Sequence, residues 1–240
     1  MKKIYTNNYK NNMSLIEHLQ ELRERLLIVF IIFFIITLIS LIDIKNIAYI
    51  LEKPAIHVKF LQLAPGEYFF VSVKIAIYLG LIFSSPFSIY QIIMFILPGL
   101  TKKEASYIIP ILISSVILFF LGIIFAYKIL IPAALNFFIN YGSDIVEPLW
   151  SFEEYFNFIL ILSFITGITF QIPILQLLLG IFKITSSNTM LKYWKYIIVG
   201  STIISAILTP STDPITQVFL SLAILGLYFS SIFILKILKK

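Results

Sequence analysis

The sequence predicts an all-α polytopic membrane protein with six transmembrane helices. Two observations carry that expectation. Hydrophobic residues make up 60% of the 240-residue chain and charged residues only 12%, against roughly 45–50% and about 25% in a soluble domain. The mean hydropathy of +1.00 is spread over six separate apolar segments instead of being concentrated in one. Half the usual charge cannot cover the surface of a soluble fold, so soluble enzymes, coiled coils and disordered proteins are excluded.

Each segment has its own signature. A spanning helix needs about 20 mostly apolar residues, because it must satisfy its own backbone across roughly 30 Å of hydrocarbon. Residues 26–42 hold fifteen Leu, Ile, Val or Phe in seventeen positions, each favouring insertion by about 0.3–0.6 kcal/mol near mid-bilayer. The second span, about 72–97, contains Pro86, which removes a backbone bond and predicts a kink. The third, about 106–131, has Pro110 in its first turns, and the fourth, about 155–182, carries Gly167 and Pro173. The fifth, 193–209, is short: its apolar part reaches only about 20 Å. A two-proline turn, Pro210 to Pro214, leads into the sixth, 214–235, so the last two spans read as a short hairpin that would thin the bilayer locally. Residues 1–12, rich in Asn and Lys, are expected to be a disordered tail, and 1–240 forms one domain.

The charges sort by face. Six spans put both termini on one side, and 13 of the 18 basic residues lie there, with only four of the 12 acids: Glu17, Glu21, Glu24 and Glu104. Both termini are therefore expected in the cytoplasm or an equivalent compartment. The net charge of +6 is accounted for by topology, so no nucleic acid is expected. With no cysteine and only His18 and His57, thiolate metal sites, disulfides and a histidine-based catalytic centre at membrane depth are excluded. The first apolar run is longer than a signal-peptide core and lacks a small-residue cleavage site, so an uncleaved first span is expected.

The strongest local pattern is the run Ser14 to Leu26. Ser14 with Glu17 three residues on forms a capping box, which predicts a helix start that runs into the first span. On that helix His18, Glu21 and Arg25 share one face, and Glu21 and Arg25 are spaced to pair at i,i+4. Glu104 lies in the loop after Pro98-Gly99-Leu100 on the same basic side. Two carboxylates isolated among lysines at a membrane surface suit bidentate hydrogen bonding from arginine, so a ligand with adjacent arginines fits this chemistry.

The order of motifs resembles one family along nearly the whole chain from Met13. His18-Leu-Gln-Glu21-Leu-Arg23-Glu-Arg25, then Pro54, Glu67-Tyr-Phe-Phe with Lys74, Ser85-Pro86, Tyr90-Gln91, Phe95 and Pro98-Gly99-Leu100 with Glu104 are similar to the TatC subunit of the twin-arginine protein translocase. Phe125-Ala-Tyr127, Pro132, Phe170-Gln171-Ile-Pro173, Leu208-Thr-Pro210, Asp213 and Gln217 continue the likeness. The resemblance implies six helices in a concave, glove-like arrangement, with helices 5 and 6 short. It implies a receptor for twin-arginine signal peptides of folded cargo, built on Glu21 and Glu104 with Arg23 and Phe95. It also implies single-span TatA- and TatB-type partners, a homo-oligomer within a larger complex, and transport driven by the proton-motive force. Neither a cofactor nor a metal is implied, and the chain has no Gly-rich phosphate loop.

Three polar positions and one proline complete the candidates. Many members of the family carry glutamate where this chain has Gln171, which keeps an amide and loses a charge. Gln171, Gln217 and Asp213 are expected to make intramembrane polar or partner-helix contacts; the structural alternatives are satisfaction of backbone groups near Pro173 for Gln171, capping support at a helix start for Gln217 and a turn position for Asp213. Pro54 is expected in a structural loop. The resemblance implies a bacterial inner membrane or a plastid thylakoid membrane, and the AT-rich residue bias favours neither. A small secondary transporter of an ion or solute is the alternative; it predicts a charge within a span, yet only Lys74 and Lys128 border apolar runs. An enzyme is not expected, since no His, Asp or Glu stands at mid-span.

Overall fold

A computed structural model describes residues 15–55, 58–96, 107–141, 149–209 and 213–238. Residues 1–12, expected as a disordered tail, and the cap residue Ser14 lie outside them. Helix α1, Leu15–Ile42, is one unbroken rod of about 42 Å, because the polar turns around Glu21 continue directly into the span. Most of its apolar side chains, Phe30, Phe34 and Leu38 among them, stay exposed, as lipid-facing residues should. Contact with the rest of the fold is confined to a narrow stripe. Thr37 and Ser40 are buried there, their hydroxyls donating to Phe33 O and Ile36 O one turn back.

Between the first two spans the chain forms an extramembrane cap. It comprises α2, Ile44–Glu52, a 3-10 turn over Lys53–Ala55 and strand β1, Lys59–Leu61. Pro54 sits half-buried in that turn. Strand β1 pairs in parallel with β2, Leu149–Ser151, with Phe60 opposite Trp150. Glu67, first residue of α3 (Glu67–Ile96), fastens the cap. Its Oε2 accepts from Leu63 N at 2.6 Å and Ala64 N at 3.1 Å, and its Oε1 accepts from Glu153 N at 2.8 Å. One buried carboxylate thus satisfies backbone donors at two helix starts that would otherwise lack acceptors. Tyr127 and Tyr155 donate their hydroxyls to Ile50 O and Leu51 O at the end of α2.

The third and fourth spans are interrupted helices. The third runs on past the expected end near 131: α4, Ile108–Phe125, passes through a π-helical turn, Ala126–Leu130, into α5, Ile131–Tyr141. Pro132 has no N–H to return to the preceding turn and its ring crowds the carbonyl there. The widened turn immediately before it absorbs both defects without ending the helix. The fourth span is two pieces, α6, Phe152–Thr169, and α7, Ile172–Ile181, hinged at Phe170-Gln171 with Pro173 at the start of the second. Where α4 crosses α6, glycines meet: a Cβ on Gly122 would lie 2.9 Å from Thr166 O, and one on Gly167 3.0 Å from the Phe119 ring.

After the short α8, Ser187–Lys192, the fifth span α9, Trp194–Leu208, has 15 residues, about 22 Å against roughly 30 Å of hydrocarbon. The sixth, α10, Pro214–Ile237, has 24 residues. It begins at the expected residue and runs two residues past the expected end at 235, long enough to cross a membrane, so the expectation of a short helix holds for the fifth span and not for the sixth. Among the described residues five helices are therefore long and apolar enough to cross a membrane, and α9 is a shorter apolar helix. The core gathers where α3, α5, α6 and α10 meet, around Val71, Ile131, Phe156, Ile159 and Leu220, none more than 1% exposed. Opposite it, α1, α3, α4 and α6 enclose a concave apolar groove of about 960 Å³.

Candidate functional site

The basic end of α1 leans on the end of α3, and the candidate site forms at that contact. Glu21 and Arg25, one turn apart, form the pair that their spacing predicts: Arg25 donates from Nε and Nη2 to Oε1 of Glu21 at 2.9 and 2.6 Å. The third arm of the same guanidinium, Nη1, donates to Oε1 of Gln91 at 2.8 Å. One turn earlier on α1, the His18 ring stacks on Phe95 with centroids 4.1 Å apart and an interplanar angle of 12°. Nδ1 of His18 lies 3.8 Å from Oε2 of Glu21. That oxygen is buried and has no hydrogen-bond partner among the described residues.

The elements make this arrangement possible for simple reasons. His18, Glu21 and Arg25 follow each other at i, i+3 and i+7, so they line one face of α1, and Gln91 and Phe95 at i,i+4 line one face of α3. The side chains of Glu21 and Arg25 are 21% and 22% exposed, so water screens the pair only in part and the charge-assisted bonds keep more strength than a surface pair's. Chemically, the site is a carboxylate shaped to receive a guanidinium, flanked by an amide and an aromatic face.

Other sequence candidates are dispersed. Phe95 belongs to the cluster, whereas Arg23, two residues from Glu21 and therefore on the far side of the helix, is exposed and lines the apolar groove with Leu22, Leu26 and Phe33. Glu104 lies outside the described residues. Gln171 stands at the hinge between α6 and α7 and also lines the groove. Instead of serving backbone groups near Pro173, its amide engages Ser115 of α4: Oε1 accepts from the Ser115 hydroxyl and Nε2 donates to Ser115 O at 3.0 Å. Gln217 donates to Thr202 O at 3.3 Å, tying α10 to α9. Asp213 is 1% exposed and caps α10 by accepting from Thr216 N at 2.8 Å.

Three polar pairings escaped the sequence reading. Gln91 stood inside a quoted motif with no role, and its i,i+4 spacing to Phe95 is the only signal that the two act together. Lys74 of α3 donates to Glu153 and, at 3.2 Å, to Asn157 of α6. Gln176 of α7 accepts from Ser231 of α10, both buried. None of these pairs is local, so spacing along the chain carries no trace of them.

Residues 17–222 match the family described as Sec-independent protein translocase protein (TatC). The chain is 64% identical over 233 residues to an uncharacterized tatC-like protein ycf43 of Gracilaria tenuistipitata var. liui, covering 97% of this chain and 98% of that one. It is 51% identical over 228 residues to the Sec-independent protein translocase protein TatC of Synechocystis sp., covering 95% and 90%. Among solved structures, a crystal structure of a twin-arginine translocase receptor, TatC, matches with a TM-score of 0.80 and 36% identity, over 93% of this chain and all of that one.

Proposed function

The chain belongs to the TatC family, multi-pass membrane components of the Sec-independent, twin-arginine protein translocase, and on that premise we propose that Glu21 is the arginine-accepting group of a signal-peptide receptor. It is a transport component and not a catalytic enzyme. The observation that carries the reading is the guanidinium already seated on Glu21: the carboxylate accepts two bonds from Arg25, which supports arginine as the chemistry it is shaped to hold. Phe95, held by His18, offers an aromatic face to the same ligand, and Arg23 borders the groove in which an apolar stretch of the peptide would lie. Glu104 supplies the second carboxylate, so that two adjacent arginines meet two acids.

Within the translocase, single-span TatA- and TatB-type subunits and further copies of this chain complete the assembly, and the proton-motive force drives transport. Gln171, Gln217 and Asp213 shape the faces that partner helices approach, and Pro54 stiffens the cap. Both termini lie in the cytoplasm of a bacterium or the stroma of a plastid, as the excess of lysine on that side supports. Photocrosslinking a labelled twin-arginine precursor to membranes that contain the chain tests the receptor role. Glu21→Ala and Glu104→Ala should each weaken the crosslink while leaving insertion intact, and undiminished crosslinks in both variants refute the assignment.

A further inference from the structure

Every oxygen of the Glu21 carboxylate is already engaged or covered before any ligand arrives. Oε1 holds both Nε and Nη2 of Arg25, and Oε2 is buried with His18 Nδ1 3.8 Å away and Phe95 stacked on that ring. A second guanidinium therefore has no open oxygen to approach. Arg25, however, has a second anchor: Nη1 donates to Gln91 Oε1 at 2.8 Å, an acceptor on another helix that can keep the side chain while Glu21 is released. A carboxylate, an internal guanidinium in the ligand's place and an alternative resting acceptor for that guanidinium together make an exchange site.

We infer that Arg25 is an internal occupant of the receptor carboxylate, displaced toward Gln91 when a peptide arginine binds, so that recognition proceeds by exchange of one guanidinium for another. This rests on the receptor reading of Glu21 above. The exchange conserves the count of charge-assisted bonds at Oε1 for an incoming arginine, since two donors leave and two arrive. An incoming lysine has a single ammonium in place of the planar fork and cannot reproduce that geometry. The occupied state also holds the carboxylate neutralised, which keeps a partly buried anion from standing alone between binding events.

Occupancy of the closed state scales the apparent affinity by the fraction of molecules left open. Because that fraction belongs to the free receptor, removing Arg25 tightens every peptide that uses Glu21 by the same factor. The test measures anisotropy of a labelled twin-arginine peptide, and of its twin-lysine counterpart, on the purified full chain in nanodiscs. Arg25→Gln is expected to tighten both peptides equally, by roughly tenfold if about nine molecules in ten are closed. Arg25→Lys keeps the positive charge yet loses the fork, and should tighten both by a smaller, equal factor; it carries the test should Arg25→Gln fail to accumulate. Loss of structure cannot produce tighter binding. Unchanged or weaker binding in both variants overturns the inference, as does tightening in Arg25→Gln with Arg25→Lys at the wild-type value, which would be an effect of net charge alone. Glu21→Ala separates the two claims. If it abolishes binding while the Arg25 variants change nothing, the receptor reading survives and the exchange fails; if it leaves binding intact, the receptor reading itself is refuted.

Discussion

The Gln171–Ser115 contact ties α4 to the hinge of the fourth span, and a double-mutant cycle measures it. Gln171→Leu removes two hydrogen bonds, from the Ser115 hydroxyl to Oε1 and from Nε2 to Ser115 O. Ser115→Ala removes only the first, since the backbone carbonyl remains. Interhelical hydrogen bonds in membrane proteins are worth about 0.6 kcal/mol on average and up to roughly 1.7, so Gln171→Leu should cost about 1–3 kcal/mol and Ser115→Ala about 0.6–1.5. Ser115 is 1% exposed, so its stranded hydroxyl places the cost toward the upper end. The double variant should cost no more than Gln171→Leu alone, because the shared bond is lost only once. That is a coupling of about 1 kcal/mol. Unfolding in a mixed-micelle titration, followed by tryptophan fluorescence, reads all four proteins. Strict additivity of the two single costs would refute the contact.

Two further outcomes follow from the packing. Gly122→Val forces side-chain atoms against Thr166 O, which is backbone and cannot rotate away, and should destabilise by about 1–3 kcal/mol through overpacking. Gly226→Ala, where an added Cβ meets nothing within 4 Å, should be neutral or stabilising by up to about 1 kcal/mol; thermal melts in detergent compare them, and equal effects would contradict the tight crossing. Removing the cap side chain of the last helix with Asp213→Ala should cost about 1 kcal/mol. The loss should appear as faster amide exchange over the first turn of α10, and unchanged exchange there would count against the cap.

Much of the candidate site was legible because it is local. Glu21 and Arg25 meet through i,i+4 spacing on a helix that runs unbroken into the first span. The separation of Arg23 from Glu21 was legible in principle as well, since two residues turn a helix by more than half a circle; grouping them by motif hid it. Pro173 was legible as a helix breaker within the fourth span, and the break falls at Phe170-Gln171 because a proline, which has no N–H to return to the preceding turn, is tolerated only in the first turn of a helix, the place it takes in α7. Pro132, by the same reasoning a plausible end for the third span, does not end it. A π-helical turn resolved the clash, and nothing in the local sequence distinguishes that solution from a stop.

By itself the sequence determined the solvent, the number and order of the spans and the shortness of the fifth helix. All of these follow from composition along the chain and from the thickness of the bilayer. Tertiary structure alone decided which faces meet: Gln91 on Arg25, 66 residues apart, Phe95 on His18, Gln171 on Ser115 and Glu67 on the start of α6. The physical reason is that a helix surrounded by lipid is apolar on every side. The periodic contrast between a buried and a solvated face, which orients helices in water, is absent here. Orientation then rests on close approach at small residues and on a few polar groups finding one another, information that is spread across distant segments and becomes visible only once the helices are packed.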